Sequence, residues 1–311
     1  MRYQIVAKLK TVLRPIVKHR LLIERAKYIG TTVLDPQKGN DLIAQFLTEL
    51  RPMAAGKIGA SELGGLRHYQ RRKDASGKCL NWGRHARMLN TNAGVYPANP
   101  DTFARFCRAF AKSLSGLDIL AVWFHASENH MRLKFAPAAV PVAMTALEPY
   151  YHERPWSSAL AGKRVLVVTP FADTVLSQYA RRTEVWRNKP DLLPDFQLEA
   201  LRCPLSAGLI HPVFPDWFAA LSAMQQEMSR RAFDVAIIGA GAWGIPLAVH
   251  AKTIGRSGIH LGGATQLLFG IKGARWDNHP IIQTFFNDAW VRPSESDRPE
   301  SFRKIENGCY W

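Results

Sequence analysis

Between Lys163 and Leu261 short apolar runs alternate with segments of helix length, and this alternation restricts the architecture more than any other feature of the chain. Strands are expected at residues 164–169, 197–203, 235–239 and 258–261, with helices at 173–187, 215–231 and 245–254 between them. Strands joined through helix-length connections pair in parallel by right-handed crossovers. The expected fold is therefore α/β: a Rossmann-like, largely parallel, doubly wound sheet flanked by helices.

The first half of the chain extends the same pattern. Ile5, Leu9, Val12, Leu13, Ile16 and Val17 recur at helical spacing among Arg2, Lys8, Lys10, Arg14, Lys18 and Arg20, which predicts a basic amphipathic helix over residues 2–27. Such a helix either docks on anionic lipid headgroups or packs on the domain with its charges solvated. A helix over 41–50 capped by Asp41, a short strand over 56–60 and a helical turn from Ser61 through Tyr69 follow. Residues 67–87 carry Arg67, Arg71, Arg72, Lys73, Lys78, Arg84 and Arg87 against Asp74 alone, and read as a basic loop. A helix is expected from Asn99-Pro100 to about residue 113, then a buried strand over 118–123. The domain division is 1–30 for the appended helix and 31–311 for a single Rossmann-like unit, with a sub-boundary near 160 left open.

Charge narrows the partners. With 41 Lys and Arg against 25 Asp and Glu in 311 residues, the formal net charge is +16, which favours phosphorylated substrates, polyanions or an anionic membrane leaflet. The basic residues are dispersed, and no zinc finger, aromatic RNP motif or recognition helix is evident, so nucleic acid is not expected. The longest nearly apolar run, residues 235–249, contains glycines and a proline and is too short to cross a bilayer. The basic amino terminus lacks the uninterrupted apolar stretch of a secretory signal. Cys79, Cys107, Cys203 and Cys309 form no C-x-x-C pair, which indicates neither zinc nor a disulfide framework. A cytoplasmic protein, peripheral on the inner face of the plasma membrane if its basic helix docks there, is expected.

Gly239-Ala240-Gly241-Ala242-Trp243-Gly244 is a G-x-G-x-x-G run directly after an apolar strand and before a helix. It fits a phosphate cradle at a helix amino terminus, or close packing of helix on strand. The next strand ends in Gly262-Gly263 without the acid that would bind a ribose diol, so neither NAD nor FAD is expected. His260, before those glycines, reads either as an acid–base or phosphate-donor group or as a packing residue. Glu62 lies between Gly59 and Gly64-Gly65, where it would act as a general base or hold Mn2+ or Mg2+, or merely complement a helix dipole. Thr169, Pro170 and Phe171 close the strongest strand, and Arg181 and Arg182 on the following helix suit a phosphate clamp or a solvated helix face.

The ordered set of Ile58–Leu63, Asn92–Pro97, Val167–Phe171, Ala236–Gly244, His260–Gly273 and Glu306–Trp311 resembles uncharacterised bacterial proteins of capsule, exopolysaccharide and O-antigen clusters. These are in turn distantly similar to GT-D-type glycosyltransferases. The resemblance implies a Rossmann-like domain with a D-x-E motif after an early strand that helps bind metal and nucleotide sugar. Here that place reads Ala60-Ser61-Glu62, so Glu62 carries over while Ala60 stands for the aspartate and leaves the metal open.

The function expected is glycosyl transfer from a nucleotide sugar to a glycan or lipid-linked acceptor of surface polysaccharide, with Glu62 and His260 as catalytic candidates. Gly59, Thr169, Phe171, Arg181, Arg182, Gly239, Gly241, Trp243, Gly244, Gly262 and Gly263 are the candidates for holding the nucleotide sugar. A nicotinamide or flavin oxidoreductase and a non-catalytic polysaccharide assembly or regulatory protein are the alternatives.

Overall fold

Val165–Val168, Val235–Ile238 and Ile119–Val122 are buried along their whole length, which a strand achieves only inside a sheet covered on both faces. The computed structural model, which describes residues 25, 27–28, 31–207, 213–300 and 302–311, contains that sheet. Its strands are β1 (Ala54–Lys57), β2 (Ile119–Val122), β3 (Val140–Ala143), β4 (Arg164–Thr169), β5 (Gln197–Arg202), β6 (Val235–Ile238) and β7 (Ser257–His260). They lie in the order β3-β2-β1-β7-β6-β4-β5, and every pairing is parallel. The sheet is continuous across position 160, with β1–β3 before it and β4–β7 after it.

Helices cover both faces. On one lie α2 (Ala60–Arg72), α3 (Gly83–Met88), α4 (Pro100–Leu114), α5 (Glu128–Phe135), α8 (Trp217–Arg230) and α9 (Gly244–Thr253), whose apolar residues form one core cluster. The other face carries α1 (Pro36–Thr48), α6 (Ala172–Ala180), α7 (Arg182–Val185), α10 (Ala264–Leu268) and the carboxyl-terminal segment around a second cluster. The connection from β4 runs outward to β5, whereas that from β6 runs back to β7, and their helices α6 and α9 fall on opposite faces. This reversal opens a crevice at the carboxyl edge between β4 and β6.

Local chemistry sets the helix starts. Asn99 accepts the Thr102 N–H at 2.8 Å ahead of Pro100 in the first turn, and Asp216 accepts the Ala219 N–H at 2.7 Å. The helix expected from Asp41 begins earlier, at Pro36, with Asp35 as its cap. Gly39 lies inside it because a Cβ there would meet the Ala146 Cβ at 2.7 Å. The strand expected over 56–60 ends at Lys57, and Ala60 already opens α2, since Met53 to Ala55 supply the buried backbone. The basic loop expected over 67–87 is mostly helix, because Leu63, Leu66 and Tyr69 bury one stripe of α2 beneath the cations. The helix expected over 173–187 breaks at Arg181. β3 and α5 were not legible, β3 being a four-residue edge strand that contains Pro141.

The amphipathic helix expected over residues 2–27 falls outside the described residues apart from Arg25 and Lys27. No helix among the described residues is long and apolar enough to cross a membrane. All four cysteines are free thiols.

β7 meets the backbone of α9 at Gly258, where a Cβ would lie 2.4 Å from the Ala248 carbonyl oxygen and 2.5 Å from its Cα. Gly258→Ala is expected to lower stability by about 1–3 kcal/mol, because neither backbone can yield without moving α9. Urea denaturation followed by far-ultraviolet circular dichroism measures it.

Candidate functional site

The crevice contains a cavity of about 590 Å3, within the range of sites for small ligands. Its floor is the carboxyl edge of the sheet: Lys57 at the end of β1, Thr169 at the end of β4, Gly239 after β6 and His260 at the end of β7. Its walls are aromatic, with Trp123, Tyr150 and Tyr151 on one side and Phe171, Trp276, Tyr310 and Trp311 on the other. The first turn of α2 and the cap residues Phe171 of α6 and Trp243 of α9 also line it, so helix ends of positive potential converge there.

Glu62 sits in the first turn of α2, buried, with its carboxylate folded back over Gly59, where a Cβ would lie 2.2 Å from Oε2. Burial raises its pKa from 4.5 to about 7, the charge of Glu306 pushes the same way and its own backbone N–H opposes. It is at once a first-turn glutamate and a cavity carboxyl.

Lys57 and Glu148 face each other at 3.8 Å with side chains only 12% and 14% exposed. Burial lowers the lysine and raises the glutamate, and the attraction between the two only partly offsets it. Lys57 also lies 4.9 Å from the Trp123 ring centroid. Arg275 pairs with Glu306 and stacks 4.6 Å from the Tyr310 ring centroid. The carboxyl-terminal segment is fastened by Gln266 Nε2 donating to the Tyr310 carbonyl at 2.8 Å and Trp311 Nε1 donating to the Asp297 carbonyl at 3.1 Å. None of Lys57, Glu148, Arg275, Glu306 and Tyr310 was singled out from sequence. The Glu306–Trp311 ending offered a signal in its resemblance, but no local pattern placed it against β7.

His260 lines the cavity, but burial and the charge of Lys57 drive its pKa down to about 3, so the ring is neutral at physiological pH. Its place on the cavity wall is the one expected, and its ring there is held in the neutral form. Its Nδ1 has no hydrogen-bond partner and packs against Gly244, where a Cβ would come within 1.9 Å of it.

The glycines of the G-x-G-x-x-G run answer to similar contacts. A Cβ on Gly239 would lie 2.8 Å from Thr265 Oγ1, and one on Gly241, which has φ 52°, would lie 3.0 Å from the Ala93 carbonyl oxygen. Gly239, Gly241 and Trp243 reach the cavity wall while Gly244 lies beneath His260. Trp243 is buried, its Nε1 donating to the Trp217 carbonyl at 3.3 Å. Gly262 and Gly263 line the cavity and make room for Lys57 and the Tyr310 ring.

Thr169 and Phe171 are on the wall as expected. Arg181 and Arg182 are not. They follow α6, which carries the chain about 13 Å from the carboxyl edge, and they pair with Glu184 at 2.9 Å and Asp195 at 2.7 Å. They do not line the cavity; among the described residues its Lys and Arg are Lys57 and Arg275.

Among the described residues no three His, Cys, Asp or Glu side chains converge into a set that could hold a metal ion. Glu62, Glu148 and Glu306 are the carboxylates on the cavity wall, Glu148 facing Lys57 and Glu306 paired with Arg275. Comparison of the chain with protein-family models, curated proteins and solved structures gives no match.

The Glu62 shift carries a stability consequence. The folded chain keeps this carboxyl protonated up to about pH 7, the unfolded chain only to its ordinary 4.5. The stability it contributes is full below pH 4.5 and lost as pH rises towards 7. Glu62→Gln is expected to be more stable than the native chain at pH 8, by up to roughly 3 kcal/mol, with the advantage gone at pH 4.5. Thermal melts at the two pH values test this.

Proposed function

We propose that the chain transfers a glycosyl group from a nucleotide sugar to a hydroxyl acceptor, a glycan or lipid-linked sugar of a bacterial surface polysaccharide, on the cytoplasmic side of the membrane. The observation that carries the proposal is Glu62: a buried carboxyl with a pKa near 7 inside an aromatic-walled cavity at the switch point of a parallel sheet. A carboxylate of that pKa suits removal of a proton from an acceptor hydroxyl at neutral pH.

In the proposed reaction the acceptor oxygen attacks the anomeric carbon while its proton passes to Glu62. The bond from that carbon to the diphosphate oxygen breaks, and the nucleoside diphosphate leaves with the bonding pair. Lys57, Arg275 and the capped helix ends at Phe171 and Trp243 would face the charge that builds on the leaving group. The aromatic walls suit the flat face of a base and the apolar face of a sugar ring. His260, held neutral, adds no charge to this balance.

Thermal shift against UDP-, GDP-, CMP- and dTDP-sugars tests the donor class; ligand at 100 times its Kd stabilises by about 2.7 kcal/mol. A response to NAD(H) alone would instead favour an oxidoreductase, and no response to any nucleotide a non-catalytic role. With the responding donor, Glu62→Gln is expected to keep donor binding and lose turnover by about 10²–10⁴. Native turnover should fall as pH drops below about 7 and Glu62 takes up its proton. Full turnover by Glu62→Gln would remove Glu62 from the chemistry.

A further inference from the structure

Residues 63–99 contain seven Lys and Arg and a single carboxylate, Asp74. The fold gathers them on one face. Lys73 bridges to Cys79, the Asp74 N–H donates to the Lys78 carbonyl at 2.8 Å and the Leu80 N–H to the Arg72 carbonyl at 3.3 Å, which folds Lys78 and Leu80 back beside the end of α2. From α3, His85 stacks on His68 of α2 with ring centroids 4.3 Å apart, and Arg67 and Arg84 are near enough to act on its charge. Arg71, Arg72, Lys73, Lys78, Arg84 and Arg87 are exposed, and among the described residues none pairs with a carboxylate. Pairing is the rule elsewhere, as at Arg164 with Asp234 and Lys252 with Asp118.

Apolar groups stand among these cations. Leu80 is 67% exposed and Met88 38%, while Tyr69, Trp82 and Tyr96 of the same segment are buried or packed on the core and give no platform for stacking bases. The face also adjoins the place where the chain enters the domain. Asn129 of α5 bonds the Lys27 carbonyl, and Lys134 of α5 donates to Gln70 of α2 at 2.9 Å. The residues preceding Arg25 are themselves rich in Lys and Arg.

We propose that this face, the outer side of α2 and α3 with the turn between them, docks the protein on anionic phospholipid. The cations neutralise headgroup phosphates, and the exposed Leu80 and Met88 enter the interfacial layer. Vesicle binding requires no turnover, so this inference and the proposed transfer reaction succeed or fail separately.

The test is co-sedimentation of the full chain with vesicles of phosphatidylcholine, alone or mixed with phosphatidylglycerol. Binding is expected to the mixed vesicles only and to fall as salt rises from about 50 to 500 mM, where the screening length shrinks. Arg71→Glu/Arg72→Glu/Lys78→Glu should weaken it at least about ten-fold. Leu80→Ser should weaken it about ten-fold without changing its salt dependence. If the triple variant is not folded by circular dichroism, Arg71→Glu alone, at an exposed position, must still weaken binding. Native-strength binding by the folded charge-reversal variants, equal binding to phosphatidylcholine alone, or binding of single-stranded RNA without binding of vesicles would each overturn the proposal.

Discussion

The parallel run of every strand places all seven carboxyl ends on one edge of the sheet, and each feature of the cavity depends on that. Residues at the carboxyl ends of different strands, Lys57, Thr169, Gly239 and His260, become neighbours only because their strands point the same way. The crossover helices run back along the sheet, so their amino-terminal turns collect at the same edge. The reversal between β4 and β6 then parts the covering layers, and the space between them is the cavity.

Within that space burial outweighs pairing. Lys57 and Glu148 face each other, yet their pKa values move towards the neutral forms because the loss of water costs each more than its partner returns. The same cause holds Glu62 near neutrality and keeps His260 uncharged. A site of this kind holds proton-transfer capacity at the expense of stability, a trade that functional sites commonly make. The outer face of α2 and α3 is the opposite case. Its cations are solvated and unpaired, so their field extends outward, whereas the polar groups of the cavity act on what enters it.

The glycines divide by mechanism. Gly258 and Gly244 admit α9 and the His260 ring, and Gly59 admits the Glu62 carboxylate. Gly241 combines a left-handed backbone with close approach to Ala93. The glycines of the G-x-G-x-x-G run therefore each answer to a contact within the protein.

By itself the sequence determined the parallel α/β class, the extents of β4 and of α4, α8 and α9 to within a residue or two, and the strand ends from which Glu62, Thr169, Phe171, Gly239 and His260 reach the cavity. Those signals are local: unbroken apolar runs, cap residues such as Asn99, and glycine clusters. Only the tertiary structure decided the rest. β3 and α5 are too short or too polar for periodicity to reveal, and the last residues of α2, past Tyr69, were hidden because charge on the outer face masks a narrow buried stripe. Lys57, Glu148, Arg275, Glu306 and Tyr310 come from distant parts of the chain, and no spacing rule links them. The ionisation of Glu62 and His260 likewise follows from how much water the finished fold removes, a quantity that belongs to packing rather than to any stretch of sequence.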